Sequence, residues 1–120
     1  HVKGSLAVKM AEKLLERVRI GDPQKRVKDY PHQYSGGMKE RAVIAMGIAS
    51  EPRFIIADEP TKGLDVTVKR NIVKLLKEIS EKKTMLIITH DLGVAEKVCD
   101  RIAVMYAGEL VEVSPTALMF

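Results

Sequence analysis

The chain has 120 residues, 46% of them hydrophobic, so it holds at most one domain with a modest core. Its 20 basic and 16 acidic residues are well mixed and leave a net charge of +4. The nearest thing to a basic patch is Lys25-Arg26-Val27-Lys28, too short a run for a nucleic-acid partner to be expected, and no apolar run reaches the ~18 residues of a membrane span. The single cysteine, Cys99, excludes an internal disulfide and a thiolate metal cluster within the chain. Beside Val98 and Ala95 it reads as a small core residue. No charged-then-apolar leader opens the sequence. It starts on His1 rather than methionine, so a processed or artificial boundary is expected there.

Leu6, Met10, Leu14 and Val18 recur every fourth residue, which predicts an amphipathic helix. Ile20-Gly21-Asp22-Pro23 stops it. The polar stretch from Gln24 to Tyr34, punctuated by Pro31, predicts a short helix or loop. Ser35 then caps a second helix running to about Ser50, and Glu51-Pro52 breaks it. Phe54-Ile55-Ile56-Ala57 runs straight into Asp58, Glu59 and Pro60. A continuous apolar run of this kind predicts a fully buried, parallel strand. Pro60 cannot extend a ladder, so both acids stand at the strand's carboxyl end. Ligands bind along that edge in open α/β sheets. Two buried acids would suit a magnesium ion on Asp58 and water activation by Glu59. They would equally suit the positive end of a following helix.

Asp65 caps the next helix, whose apolar face is Val68, Ile72, Leu75, Leu76 and Ile79. Thr84 to Thr89 predicts another buried strand, with His90 and Asp91 at its carboxyl end. Asp91 caps a short helix through Val98. Ile102–Tyr106 and Leu110–Val113, joined by Ala107-Gly108, predict an antiparallel hairpin. Ser114 and Pro115 are expected to open a last helix. The alternation of strands and helices predicts an α/β fold, with a helical part at 1–50 ahead of a core at 51–120.

Three polar features share one logic. Asp58-Glu59 and His90 end two strands on the same sheet edge. Ser35-Gly36-Gly37 begins a helix, where glycines admit a phosphate to the backbone and the helix end favours its charge. Taken singly, a strand-end histidine is more often a capped core residue, and Ser-Gly-Gly is often only a cap.

In this order and spacing the chain resembles the nucleotide-binding domain of ABC transporters over nearly its whole length. Tyr34-Ser35-Gly36-Gly37-Met38 resembles the signature motif, usually Leu-Ser-Gly-Gly-Gln. Phe54–Glu59 resembles the Walker B strand, Lys62-Gly63-Leu64-Asp65 the D-loop, and His90 the H-loop histidine. Tyr30-Pro31-His32-Gln33, Thr89–Gly93 and Cys99–Gly108 are similar to the branch serving oligopeptide, dipeptide and nickel importers. The resemblance implies a partial P-loop ATPase sheet, ATP as substrate and Mg²⁺ as cofactor. It implies Asp58 on the metal, Glu59 as general base and His90 on the γ-phosphate. Ser35, Gly36, Gly37 and Asp65 would face ATP bound to a second nucleotide-binding subunit. Integral membrane permease subunits would be the other partners, at the cytoplasmic face of the cell membrane.

The departures are as informative. No Gly-x-x-x-x-Gly-Lys-Ser/Thr occurs in residues 1–120, so this reads as the second half of an ATPase. Lys62 and Gly63 replace the usual small D-loop pair. The missing P-loop strand is expected between the strand ending at His90 and the Ile102–Tyr106 strand. Without it, those strands should pair directly or recruit a second copy. A non-catalytic module docking on a membrane subunit, or a soluble ABC ATPase, are the other readings.

Overall fold

The computed structural model describes residues 4–120; the expectation at His1 lies outside them. Helix α1 (Ser5–Arg17) ends in a Schellman-type turn, with Ile20 N–H donating to the Leu15 carbonyl and Arg19 N–H to that of Glu16. The left-handed residue there is Arg19, at φ 61°, and not the glycine two positions on. Burial of Ile20 holds this turn closed. Residues 23–34 form a one-turn helix, α2 (Pro23–Arg26), and a 3-10 turn at Pro31–Gln33. Helix α3 (Gly36–Ile48) is capped by Ser35, whose Oγ accepts from Met38 N–H at 3.3 Å.

Strand β1 (Phe54–Asp58), helix α4 (Val66–Ser80) and strand β2 (Thr84–Ile88) form a parallel crossover, with Phe54 opposite Thr84 and Asp58 opposite Ile88. Helix α5 (Leu92–Val98) follows, then the hairpin of β3 (Arg101–Tyr106) and β4 (Glu109–Pro115), and a final turn of helix, α6 (Thr116–Met119). Ala107 and Gly108, at φ 49° and 83°, make the doubly left-handed turn that matches strand twist. Ser114 belongs to β4 rather than capping α6, which starts one residue later than expected. The Thr116 hydroxyl instead donates to the Cys99 carbonyl at 2.6 Å.

Two buried clusters hold the helices. Leu15, Val18 and Ile20 meet Ala45 and Ile48 of α3 and Leu75 and Ile79 of α4. Ile72 and Leu76 of α4 meet Val94 and Val98 of α5. Both clusters also cover one face of the strands, through Ile55, Met85 and Ile87. Among the described residues, no layer covers the opposite face. Phe54, Ile56, Leu86 and Ile88 are exposed there, Ile56 at 61%. The expectation of fully buried strands is therefore corrected: β1 and β2 alternate between half-buried and exposed positions, because helices lie on one side only.

The direct pairing of the two apolar strand edges is also not made. β1–β2 and β3–β4 are separate two-stranded sheets among the described residues. An open groove of ≈ 830 Å³ runs between Thr84–Ile88 and Arg101–Ala103. The radius of gyration, 16.1 Å, exceeds the about 14 Å of a compact chain this long. Open apolar edges recruit other strands. The chain is expected to associate at micromolar concentration in sedimentation velocity; a strict monomer would count against that.

A partly exposed ion-pair cluster ties α1 to the strands. Glu51 meets Lys83 at 2.8 Å and Arg17 at 2.6 Å. The hydrogen bond from Lys83 and then that from Arg17 hold the Glu51 carboxyl below its ordinary range. A lowered folded-state pKa adds stability that is complete above the unfolded value of 4.5 and lost as pH falls through the folded value. The melting temperatures of the wild-type chain and Glu51→Gln should thus differ modestly near neutrality and converge in acid. A gap that stays constant to low pH would contradict this origin.

Candidate functional site

The carboxyl ends of β1 and β2 lie side by side, and their chemistry follows from one backbone feature. Glu59 adopts φ 46°, a region unfavourable for any residue with a Cβ. Its N–H donates to the Ile88 carbonyl at 2.8 Å, extending the ladder one residue past the strand. The left-handed turn then aims the side chain at β2's end. Glu59 Oε1 accepts from His90 Nδ1 at 2.7 Å and from His90 N–H at 3.3 Å. Hydrogen bonding from the His90 ring holds the Glu59 carboxyl below its ordinary range, against a smaller upward push from desolvation. The His90 hydrogen bond thereby favours the ionised form of the Glu59 carboxylate. The His90 side chain is 80% exposed, so most of the ring faces solvent.

Two expectations about the acids are corrected. Asp58 is exposed and Glu59 half-buried, so neither is a buried acid. No helix N-terminus caps them, since α4 begins only at Val66 and its cap is Asp65. The Asp65 carboxylate accepts from the N–H groups of Thr67 and Val68, both at 3.0 Å.

A cavity of ≈ 210 Å³ opens beside the Glu59–His90 pair. Lys62, Lys69 and Asp91 line it with them. This is smaller than the roughly 300–1,000 Å³ of a drug-sized pocket, and so too small to enclose a nucleoside triphosphate. Ser35, Gly36, Gly37 and Asp58 do not line it. The structure thus brings Glu59 and His90 together and leaves the Ser35–Gly37 turn apart from them. Among the described residues no three acidic, histidine or cysteine side chains gather as a metal site. Asp58 alone fits the habit of Mg²⁺, which keeps several waters and takes one or two carboxylates plus substrate phosphates.

The two glycines of the turn differ. A Cβ on Gly36 would meet nothing within 4 Å, whereas one on Gly37 would lie 2.6 Å from Val68 Cγ1. Gly36 is open to a ligand; Gly37 is a close-packing position against α4. Val68 as the neighbour of Gly37 and the ion pair between Lys69 and Asp91 emerge only from the structure. Neither contact leaves a signal in the sequence, because the partners are far apart in it.

The model of the family described as ABC transporter matches residues 5–62. The oligopeptide transport ATP-binding protein OppD of Bacillus subtilis is 53% identical over 108 residues, which are 88% of this chain and 30% of that protein. The dipeptide transport ATP-binding protein DppD of the same organism is 54% identical over 102 residues, 83% of this chain and 30% of that protein. The chain belongs to the ABC transporter ATP-binding family. It spans about a third of the length of the curated relatives it matches.

Solved ABC cassettes place the fold in the same family. A bacterial ABC transporter cassette determined as a dimer superposes with a TM-score of 0.80 at 31% identity, over 97% of this chain and 50% of that one. A cassette dimer bound to ADP and Pi gives the same TM-score at 30% identity. The α/β class expected from the strand–helix alternation is the class of these structures.

Proposed function

We propose that the chain is part of the ATP-hydrolysing subunit of an importer that takes up oligopeptides, dipeptides or a related solute. The carrying observation is the 2.7 Å contact between Glu59 and His90 at the shared edge of β1 and β2. An ionised carboxylate held by a neighbouring imidazole is suited to take a proton from an attacking water. Glu59 is the general base in this reading. His90 orients it and presents the rest of its ring to the γ-phosphate. Asp58 holds Mg²⁺, which when bound offsets charge on the phosphate oxygens. Ser35, Gly36, Gly37 and Asp65 face ATP carried by a second nucleotide-binding subunit, with Gly37 also packed on Val68. Catalysis is then mainly positioning and electrostatic stabilisation.

The similarity to peptide-importer ATP-binding proteins supports the solute class and, with it, membrane permease subunits as partners at the cytoplasmic face. No described helix is long and apolar enough to cross a membrane. The test is Mg²⁺-ATP hydrolysis by the whole protein, with peptide uptake measured in cells lacking it. Absence of hydrolysis would refute the reading.

This chain by itself is expected not to bind ATP tightly. Its 120 residues encode no glycine-rich cradle for the β- and γ-phosphates. Calorimetric titration with Mg²⁺-ATP should give at most weak binding. Submicromolar affinity would overturn the expectation.

A further inference from the structure

We propose that the first turn of α4 links the Ser35–Gly37 turn to the His90–Glu59 pair, with Val68 and Lys69 as positioning residues. Two independent contacts carry this. On one side, Val68 fills the space beside Gly37 so closely that a Cβ there would lie 2.6 Å from Cγ1. Gly37 has no left-handed φ, so the glycine is required by space and not by backbone conformation. Valine is stiff at χ1 and cannot swing clear at little cost. On the other side, the Lys69 ammonium pairs with Asp91 Oδ2, both side chains being half-buried.

Asp91 is itself held from three directions. Its Oδ1 accepts from Val94 N–H at 3.2 Å, its N–H donates to the Thr89 hydroxyl at 3.1 Å, and its Oδ2 takes Lys69. The residue before it is His90, whose N–H and ring both bond Glu59. A displacement of Lys69 is therefore passed to His90 through one peptide unit.

Adjacent helix residues point about 100° apart, so one turn can touch two different segments. Val68 reaches the start of α3 while Lys69 reaches the start of α5. Asp65 fixes the same turn from below by bonding Thr67 and Val68 N–H. Close-packed contacts transmit small shifts because they have no slack. A movement of the Ser35–Gly37 turn would thus be felt at the Glu59–His90 pair. The catalytic meaning of the link rests on the ATPase reading; the link itself does not.

The test is NMR on the isotope-labelled whole protein at one fixed pH, alongside its melting temperature. Val68→Ala should shift the Gly36 and Gly37 amides and also the His90 amide and ring signals, beyond changes at remote amides such as Leu110. Gly37→Ala should do the same. Lys69→Met should move His90 and abolish the response of His90 to Val68→Ala, while Lys69→Arg should restore the wild-type positions. If Gly37→Ala does not fold, Val68→Ala and Lys69→Met decide, since neither introduces a clash. Variants that lower the melting temperature yet leave the His90 signals in place would overturn the link. So would a His90 response to Val68→Ala that persists in Lys69→Met. Loss of the ATPase reading would show separately, as a whole protein that does not hydrolyse ATP.

Discussion

Glu59→Gln in the whole protein should lower ATP turnover by roughly 10²-fold or more, the usual contribution of a positioned general base. The substitution keeps the shape of the side chain and one oxygen to accept from His90. Asp58 is untouched, so Mg²⁺ and ATP binding should persist. What is lost is proton capacity, since an amide cannot take the proton of the attacking water. The expected pattern is a fall in kcat with KM little changed. Near-normal turnover would show that Glu59 is not the base. The left-handed backbone at Glu59 makes a further demand on this test. Circular dichroism of the variant should match wild type, so that lost activity is not lost folding.

Ile72→Ala should produce the largest stability loss of any single truncation in the chain's α4–α5 cluster. Ile72 is fully buried between Leu76, Val94 and Val98. Removing three carbons from such a site costs about 2–5 kcal/mol, as lost transfer energy plus a cavity. Whole domains are stable by only about 5–15 kcal/mol, and among the described residues one strand face is uncovered. Val66→Ala, at a position 77% exposed on the same helix, should stay within about 0.5 kcal/mol. Urea denaturation of the two variants measures the contrast. Equal midpoints would mean that the α4–α5 cluster does not carry the fold.

Much of the architecture was legible because its determinants are local. The four-residue apolar period of α1, the caps at Ser35, Asp65 and Asp91, and the Ala107-Gly108 turn each depend on neighbours in sequence. The start of α6 was misread for a local reason too. Ser114 and Pro115 suit a helix start, but the register of β4 with β3 pairs them first, Ser114 opposite Ile102 and Pro115 opposite Arg101. The apolar runs at β1 and β2 identified parallel strands correctly. Their burial was overstated, because burial depends on which layers are present and not on the strand's own residues.

The candidate site divides in the same way. Residue type, order and spacing single out Asp58, Glu59, His90 and Ser35–Gly37 as candidates. Only the tertiary structure decided that Glu59 and His90 touch, because that contact depends on the parallel register of β1 and β2 and on a left-handed turn at Glu59. Only it separated Gly36, open to a ligand, from Gly37, packed on Val68. The same holds for Lys69 and Asp91, which are 22 residues apart in the chain. Caps, turns and amphipathic periods are written within a few residues. Side-chain contacts across helices and strand ends are fixed by packing, which sequence spacing does not encode.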